Sequence, residues 1–293
     1  MKVIAVFGPT GVGKTAVAIA LARLLRERGE DPVAVSADAM QVYEGLPVLT
    51  GAATPEEQAE LEHRLIQFVP IDQTFSAGAY AQRAHREIDE LIRENRRPIV
   101  VGGTGLYLRA ALADLDLRPP VDPAIRNKLA RQPLEALHAA LPAHVAAGIA
   151  PTDRQRIIRA HELLEAGHEP PPPAHTPESQ LWTTQTRHPT VLAALVMDRQ
   201  RLANKIGERV DAMVANGAIE EVQRAHEANA SATARRALGF EELLNHDIEA
   251  MKTRTRRYAK RQLTWLRKLP GAHLIDVTDR EPTDVAAELL AII

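Results

Sequence analysis

The chain has 293 residues, 45% of them hydrophobic but only 3% aromatic, with a formal net charge of −2 and no cysteine. That is enough apolar material for a buried core of Leu, Ile, Val and Ala in one or two domains, and the missing cysteines exclude disulfides, thiolate zinc sites and cysteine nucleophiles. No apolar run approaches a membrane span and no signal peptide is readable, so a cytoplasmic protein in a reducing compartment is expected.

Val3-Ile-Ala-Val-Phe7 reads as a buried strand and Thr15 to Arg28 as a helix. Between them lies Gly8-Pro9-Thr10-Gly11-Val12-Gly13-Lys14-Thr15, the G-x-x-x-x-G-K-[ST] pattern in the strand-to-helix context that a P-loop requires. Its glycines let backbone N–H groups converge on phosphate oxygens at a helix N-terminus. Lys14 would neutralise the terminal phosphates, and the Thr15 hydroxyl would reach a Mg²⁺ ion. The motif indicates a polyphosphate without saying which.

Val33 to Ala37 is a second short apolar strand, delivering Asp38. Residues 51–65 read as a loop with one short helix. Ser76 to Asn95 is a helix with Ser76 as its N-cap, followed by a strand at Pro98-Ile-Val-Val101 and the turn Gly102-Gly-Thr-Gly105. Leu106 to Leu112 begins another helix. From about Leu115 to Glu169 only helical stretches are legible, and His168-Glu-Pro-Pro-Pro-Pro173 is a stiff linker. Strand character returns at Val191 to Met197, ending in Asp198-Arg199. Long helices follow at Gln200 to Asn216, Ile219 to Asn229 and Ile248 to Leu269, then a strand at His273 to Val277 and a short terminal helix.

Strands alternating with helices imply an α/β fold, a P-loop NTPase-like core whose parallel sheet is flanked by helices, with a mostly helical insertion domain. The expected division is 1–114 for the first part of the core, 115–189 for the insertion and 190–293 for core completion with basic C-terminal helices. In such sheets the ligand lies beyond the carboxyl ends of the strands. The P-loop, Asp38, Gly102 to Gly105 and Asp198-Arg199 are all delivered to that edge. Asp38 directly follows the strand after the P-loop helix, which suits a substrate-facing acid better than a Walker B carboxylate.

Basic residues concentrate late. Lys252, Arg254, Arg256, Arg257, Lys260, Arg261, Arg267 and Lys268 have no acid among them. Arg254, Arg257, Arg261 and Lys268 recur as a helical stripe suited to a phosphate backbone, with Tyr258, Trp265, Leu266 and Leu269 packing on the other side. The insertion adds Arg126, Arg154, Arg156 and Arg159, the last three expected on one helix face. His63 is a loop candidate, and without an H-x-x-x-H pair no histidine metal site is expected. These residues describe a Mg²⁺-assisted phosphate-chemistry enzyme with a basic helical appendage, and a nucleoside or nucleotide kinase would satisfy the same core.

Together the motifs resemble the tRNA dimethylallyltransferase family, the tRNA isopentenyltransferases of bacterial type. The similar stretches, in family order, are the P-loop, Ser36 to Tyr43, Glu62 to Leu65, Val101 to Tyr107, Asp122 to Arg126, Asp153 to Ala160, Arg209 to Met213 and Ala259 to Leu266. The resemblance implies transfer of a dimethylallyl group from dimethylallyl diphosphate to N6 of the adenosine next to the anticodon, position 37 of tRNA. Gly8 to Thr15 would then hold diphosphate, with Thr15 on Mg²⁺. Asp38 would be the base, with Thr104 beside it, and Arg209 would hold the leaving diphosphate. Asp38, Ala39, Met40, Gln41, Thr104, Arg126, Gln155, Arg156 and Arg159 would contact the anticodon stem-loop, and the chain would act as a monomer. Where the family commonly has Asp-Ser-Arg-Gln, this chain has Asp38-Ala-Met-Gln41, so the hydroxyl and the charge at 39 and 40 are missing. The P-loop has Gly11-Val12 where Ala-Ser is frequent, and the cysteine/histidine finger of some eukaryotic relatives is absent.

Overall fold

The strands β1 (Val3–Phe7), β2 (Asp31–Ser36), β3 (His63–Arg64), β4 (Arg96–Gly102), β5 (Thr190–Val196) and β6 (His273–Asp276) form one sheet in the order β3-β2-β4-β1-β5-β6. Every pair in it is parallel. The computed structural model describes residues 1–119, 121–171 and 180–293, so the last two residues of the expected linker, 172 and 173, lie outside the described residues. The chain separates into two compact units, Met1–Leu112 with Thr186–Ile293, and Ala113–Gln185.

A sheet covered by helices on both faces buries its central strands completely, and β1 is buried along its whole length. β3 is the strand that the sequence pattern does not announce. It spans two residues, too few to show alternation, and is defined by its pairing with Ala34 and Val35. His63 is therefore in an edge strand rather than a loop.

The register brings the functional ends level. Phe7 pairs with Gly102 on one side and Ala194 on the other, and Ser36 pairs with Val101. The chain thus leaves β1, β2 and β4 at one height on the carboxyl edge. Gly102 makes this possible, since a Cβ there would overlap the Ala37 carbonyl.

Two apolar clusters hold this unit. In the first, helix Lys14–Glu27 lays Leu21 and Leu25 on Ile4, Ile99 and Leu195, with Val285 and Leu289 of helix Pro282–Ala291 packed against it. In the second, Val42, Tyr43 and Leu46 from the segment after β2 pack with Val210, Val222, Phe240 and Met251. Each such side chain contributes about 1.5–3 kcal/mol when fully buried. This second cluster anchors the segment that carries Asp38 onto the helices Arg199–Ala215, Ala218–Glu227 and Ile248–Leu266.

Helix starts follow local rules: Ser76 accepts from the Ala79 N–H, and Asp198 from Gln200 and Arg201. The chain leaves for the second unit after Leu112 and returns where the Arg187 N–H donates to the Leu112 carbonyl at 2.8 Å.

The second unit contains helices Pro123–Ala130, Leu134–Ala139, Ala143–Ala146 and Arg154–Glu165. Its core is Leu129, Leu137, Leu141, Val145, Ile157, Ile158 and Ala160. Among the described residues no helix is long and apolar enough to cross a membrane.

Candidate active site

Lys14 opens the P-loop helix, and its Nζ donates to the Gly8 and Pro9 carbonyls, each at 3.0 Å. Burial strips water from the ammonium and the Arg209 guanidinium repels it, while Asp38 partly offsets both, so its pKa falls to about 8. Arg209 reaches the same place from helix Arg199–Ala215. Its guanidinium packs on Gly51, where any Cβ would overlap it. Burial also lowers the proton affinity of Arg209, against the pull of Asp38 and Glu57, and its buried Nε has no hydrogen-bond partner among the described residues. Two desolvated cations in one field, one with a donor left over, have the chemistry to hold an anion.

Asp38 is the counterweight. Its Oδ1 accepts from the Met40 N–H at 2.9 Å, fixing the turn that leaves β2. Its charge also reaches three tyrosines. Tyr80 and Tyr107 are raised above the ordinary phenol value mainly by burial, with Asp38 adding to it, and Tyr258 is pushed up to about 12 by the same two effects. Tyr80 donates to the Ser36 carbonyl at 2.8 Å, which pins the end of β2.

Thr104 sits where the β4 turn meets Asp38. Its Oγ1 lies 3.4 Å from the Ala39 N–H, which donates to it, and 3.3 Å from the Tyr258 hydroxyl. The structure therefore brings together Gly8 to Thr15, Asp38, Ala39, Thr104 and Arg209.

Several expected contacts are placed differently. Gln41 is a brace: its Oε1 accepts from the Ser36 hydroxyl at 2.9 Å and its Nε2 donates to the Gly51 carbonyl at 3.0 Å. Met40 packs against the second apolar cluster. Asp198 is a helix cap, and Arg201 beside it pairs with Asp279. His63 is partly buried, with Nδ1 2.6 Å from the Leu61 carbonyl, and burial lowers its proton affinity.

In the second unit, the buried Glu162 carboxylate takes Arg126 through both of its oxygens and Arg159 at 3.2 Å. Arg159 also donates to the carbonyls of Arg118 and Pro119. Arg154 donates to the carbonyls of Ala130 and Gln132, and Arg156 turns back on Asp153. Residues 154 and 156 are two positions apart, about 200° around a helix, so the three arginines do not share a face. Gln155 and Arg156 are exposed. With Arg154 and Arg159 committed to internal acceptors, the phosphate clamp of a kinase lid has little left to use from this helix.

Along helix Ile248–Leu266 the stripe is also revised. Arg254 pairs with Glu242, and Lys252 with Asp211 and Glu249. The exposed cations of this helix are Arg256, Arg257, Lys260 and Arg261, and Arg267 and Lys268 follow just beyond its end. Its inner face contributes Tyr258 and the buried Gln262, neither singled out as a site residue from sequence. A signal existed, because Met251, Thr255, Ala259, Gln262 and Leu266 are the buried row of this helix, and a glutamine in such a row needs buried partners.

Among the described residues no three His, Asp or Glu side chains gather as a metal cage. Mg²⁺ is commonly held by one or two protein oxygens, water and phosphate oxygens. The hydroxyl of Thr15, next to Lys14 at the start of the P-loop helix, is a hard oxygen donor of that kind.

The model of the family described as IPP transferase matches residues 41–269. A tRNA dimethylallyltransferase of Thermobifida fusca is 36% identical over 95% of this chain and 92% of its own. One from Bacillus velezensis is 35% identical over 97% and 92%. Among solved structures, the full-length tRNA isopentenylpyrophosphate transferase of Bacillus halodurans superposes with a TM-score of 0.71 at 30% identity, covering 99% of this chain and 95% of the other. A eukaryotic dimethylallyltransferase acting on tRNA gives 0.77 at 25% identity, covering 99% of this chain and 77% of its own.

Proposed function

The chain belongs to the tRNA dimethylallyltransferase family, and from that premise we propose how its own residues carry the family reaction. It transfers a dimethylallyl group to an adenosine of tRNA, with dimethylallyl diphosphate as donor and N6 of the base beside the anticodon as acceptor. The observation that carries this reading is the convergence of two desolvated cations, Lys14 and Arg209, with the Asp38 carboxylate and the Thr104 hydroxyl at one sheet edge.

The exocyclic amine of adenine is a weak nucleophile because its lone pair is delocalised into the ring. As N6 bonds to the dimethylallyl C1, the C1–O bond breaks and its electron pair leaves with diphosphate. Lys14 and Arg209 stabilise the charge that develops there in a site already stripped of water. Asp38 accepts the N6 proton, a contribution of about 10²–10⁴-fold for general base catalysis. Thr104 donates or accepts beside the base to orient it. The Thr15 hydroxyl would hold Mg²⁺, which supplies further charge neutralisation on the diphosphate oxygens. The acceptor base must leave its stack to reach Asp38, as single-stranded loop recognition requires. The exposed cations of helix Ile248–Leu266 and the exposed Gln155 and Arg156 would engage the RNA.

The test is transfer by purified protein with unmodified tRNA, dimethylallyl diphosphate and Mg²⁺, read by nucleoside mass analysis. Asp38→Asn should lose at least about 10²-fold in rate while tRNA still binds. No mass gain on adenosine from the wild type would sink the transferase reading, and normal turnover by Asp38→Asn would remove the base role.

A further inference from the structure

Helix Ile248–Leu266 meets the site through Tyr258, Gln262 and Trp265, four and three positions apart and so on one face. Tyr258 touches Thr104, and the Trp265 ring fills the space that a Cβ on Gly105 would need. Gln262, between them, is 4% exposed. Its carboxamide uses both ends. Oε1 accepts from the Thr10 N–H at 2.9 Å, and Nε2 donates to the Gly103 carbonyl at 2.7 Å. Gly103 is tailored to it, since a Cβ at 103 would overlap Nε2. One side chain thus joins the phosphate loop after β1 to the turn after β4, elements that no other hydrogen bond described between side chains and backbone connects in this way.

We infer that Gln262 is a positioning residue, tying the loop that holds the diphosphate to the turn that presents Thr104 and thereby setting the distance between donor and acceptor base. The inference rests on the transferase reading for what the two loops hold. Gln262 is buried with its carboxamide on the Thr10 amide and the Gly103 carbonyl, and it acts through them. An aliphatic side chain of the same length would leave both groups buried without a partner, and the two loops would then settle independently. A shift of about 1 Å between reacting groups is worth about 10²-fold in rate.

The test compares wild type with Gln262→Met, which keeps length and removes both hydrogen bonds. Sites are counted by titration with inorganic diphosphate, so that the rate refers to folded protein only. Positioning predicts a kcat lower by about 10²-fold per diphosphate-binding site, with tRNA affinity unchanged and diphosphate affinity weakened by roughly threefold to tenfold. A kcat within about threefold of wild type overturns it, whatever the melting temperature does, and leaves Gln262 as a satisfied core amide. If Gln262→Met does not fold, Gln262→Asn carries the same test, because its shorter arm cannot span both partners. If the wild type binds inorganic diphosphate but transfers no dimethylallyl group, the functional reading falls. The tie between the loops is then judged by diphosphate affinity alone, with no change in Gln262→Met overturning it.

Discussion

Lys14 offers a measurable consequence of its burial. A lysine amine ordinarily titrates near pH 10.4, and here desolvation and Arg209 bring it to about 8. A diphosphate beside it favours the charged form, so binding above pH 8 must take up a proton. With a free-state pKa of about 8, Lys14 is about 10% neutral at pH 7 and about 90% neutral at pH 9. Affinity for dimethylallyl diphosphate should therefore fall by about tenfold between those values, roughly 1.4 kcal/mol. The ligand adds little to this slope, because a phosphate ester completes its second ionisation near pH 6. Calorimetry in buffers of different ionisation enthalpy counts the protons: about 0.1 taken up at pH 7 and about 0.9 at pH 9.

The sign for stability follows from the same shift. A depressed lysine pKa means that the unfolded chain binds more protons between about pH 8 and 10.4, so the unliganded protein should gain stability as pH rises through that window. Lys14→Arg is the control, since arginine stays charged, and its affinity should be flat from pH 7 to 9. Absence of proton uptake in the wild type at pH 9, or an equal slope in Lys14→Arg, would refute the argument.

Gly51→Ala should displace Arg209, because the new Cβ overlaps its guanidinium, and should also strain a backbone held at φ +58°. We expect about 1–2 kcal/mol of lost stability from the backbone and a higher KM for dimethylallyl diphosphate, read by melting and steady-state kinetics; an unchanged KM would mean that Arg209 does not meet the donor. Glu162→Ala leaves Arg126 and Arg159 without their shared buried acceptor. It should destabilise the second unit by about 1.5–3 kcal/mol, the usual worth of hydrogen bonds to a charged group, as measured by hydrogen exchange within Arg154–Glu165. Replacing Arg257, Lys260 and Arg261 with glutamine should weaken tRNA binding and reduce the salt slope by about 0.7–0.9 for each phosphate no longer neutralised. A slope equal to that of wild type would make them ordinary solvated cations.

What could be read from sequence was whatever acts through backbone or strand ends. The P-loop works largely by main-chain geometry, so its residue pattern specifies it; Asp38 was legible because it directly follows an apolar strand, and Thr104 because it lies in the glycine-rich turn after one. Arg209 needed the family resemblance; its helix gave no sign that it would turn inward onto Gly51. The partners of Gln262 and Tyr258 stayed hidden because they lie 159 and 154 residues away in the chain; the helical spacing shows only that Gln262 shares the buried row. For the arginines of the second unit, the shared face expected of Arg154, Arg156 and Arg159 was not legible, for the opposite reason. Charge spacing shows where cations sit but not which internal acceptors claim them, and Glu162 with the carbonyls of residues 118, 119, 130 and 132 claims most of these.

On the proposed reading, the placement of charge would let a P-loop serve carbon transfer as well as phosphate transfer. A kinase must stabilise charge on a phosphoryl group that passes between two oxygens, and it commonly brings further cations to that group. Here both cations, Lys14 and Arg209, are fixed by packing: one against the Gly8 and Pro9 carbonyls, the other against Gly51. The short helix Pro47–Thr50 that precedes Gly51 is itself held, since the buried Glu221 carboxylate accepts from the Val48 and Leu49 N–H groups. Fixed cations suit a diphosphate that stays where it is bound while carbon departs from it, because charge appears on oxygens already in contact with the protein. Preorganisation of that kind costs no rearrangement at the moment of reaction. On that reading the acceptor side would be supplied from different strands, where Asp38 and Thr104 lie beside each other at the ends of β2 and β4.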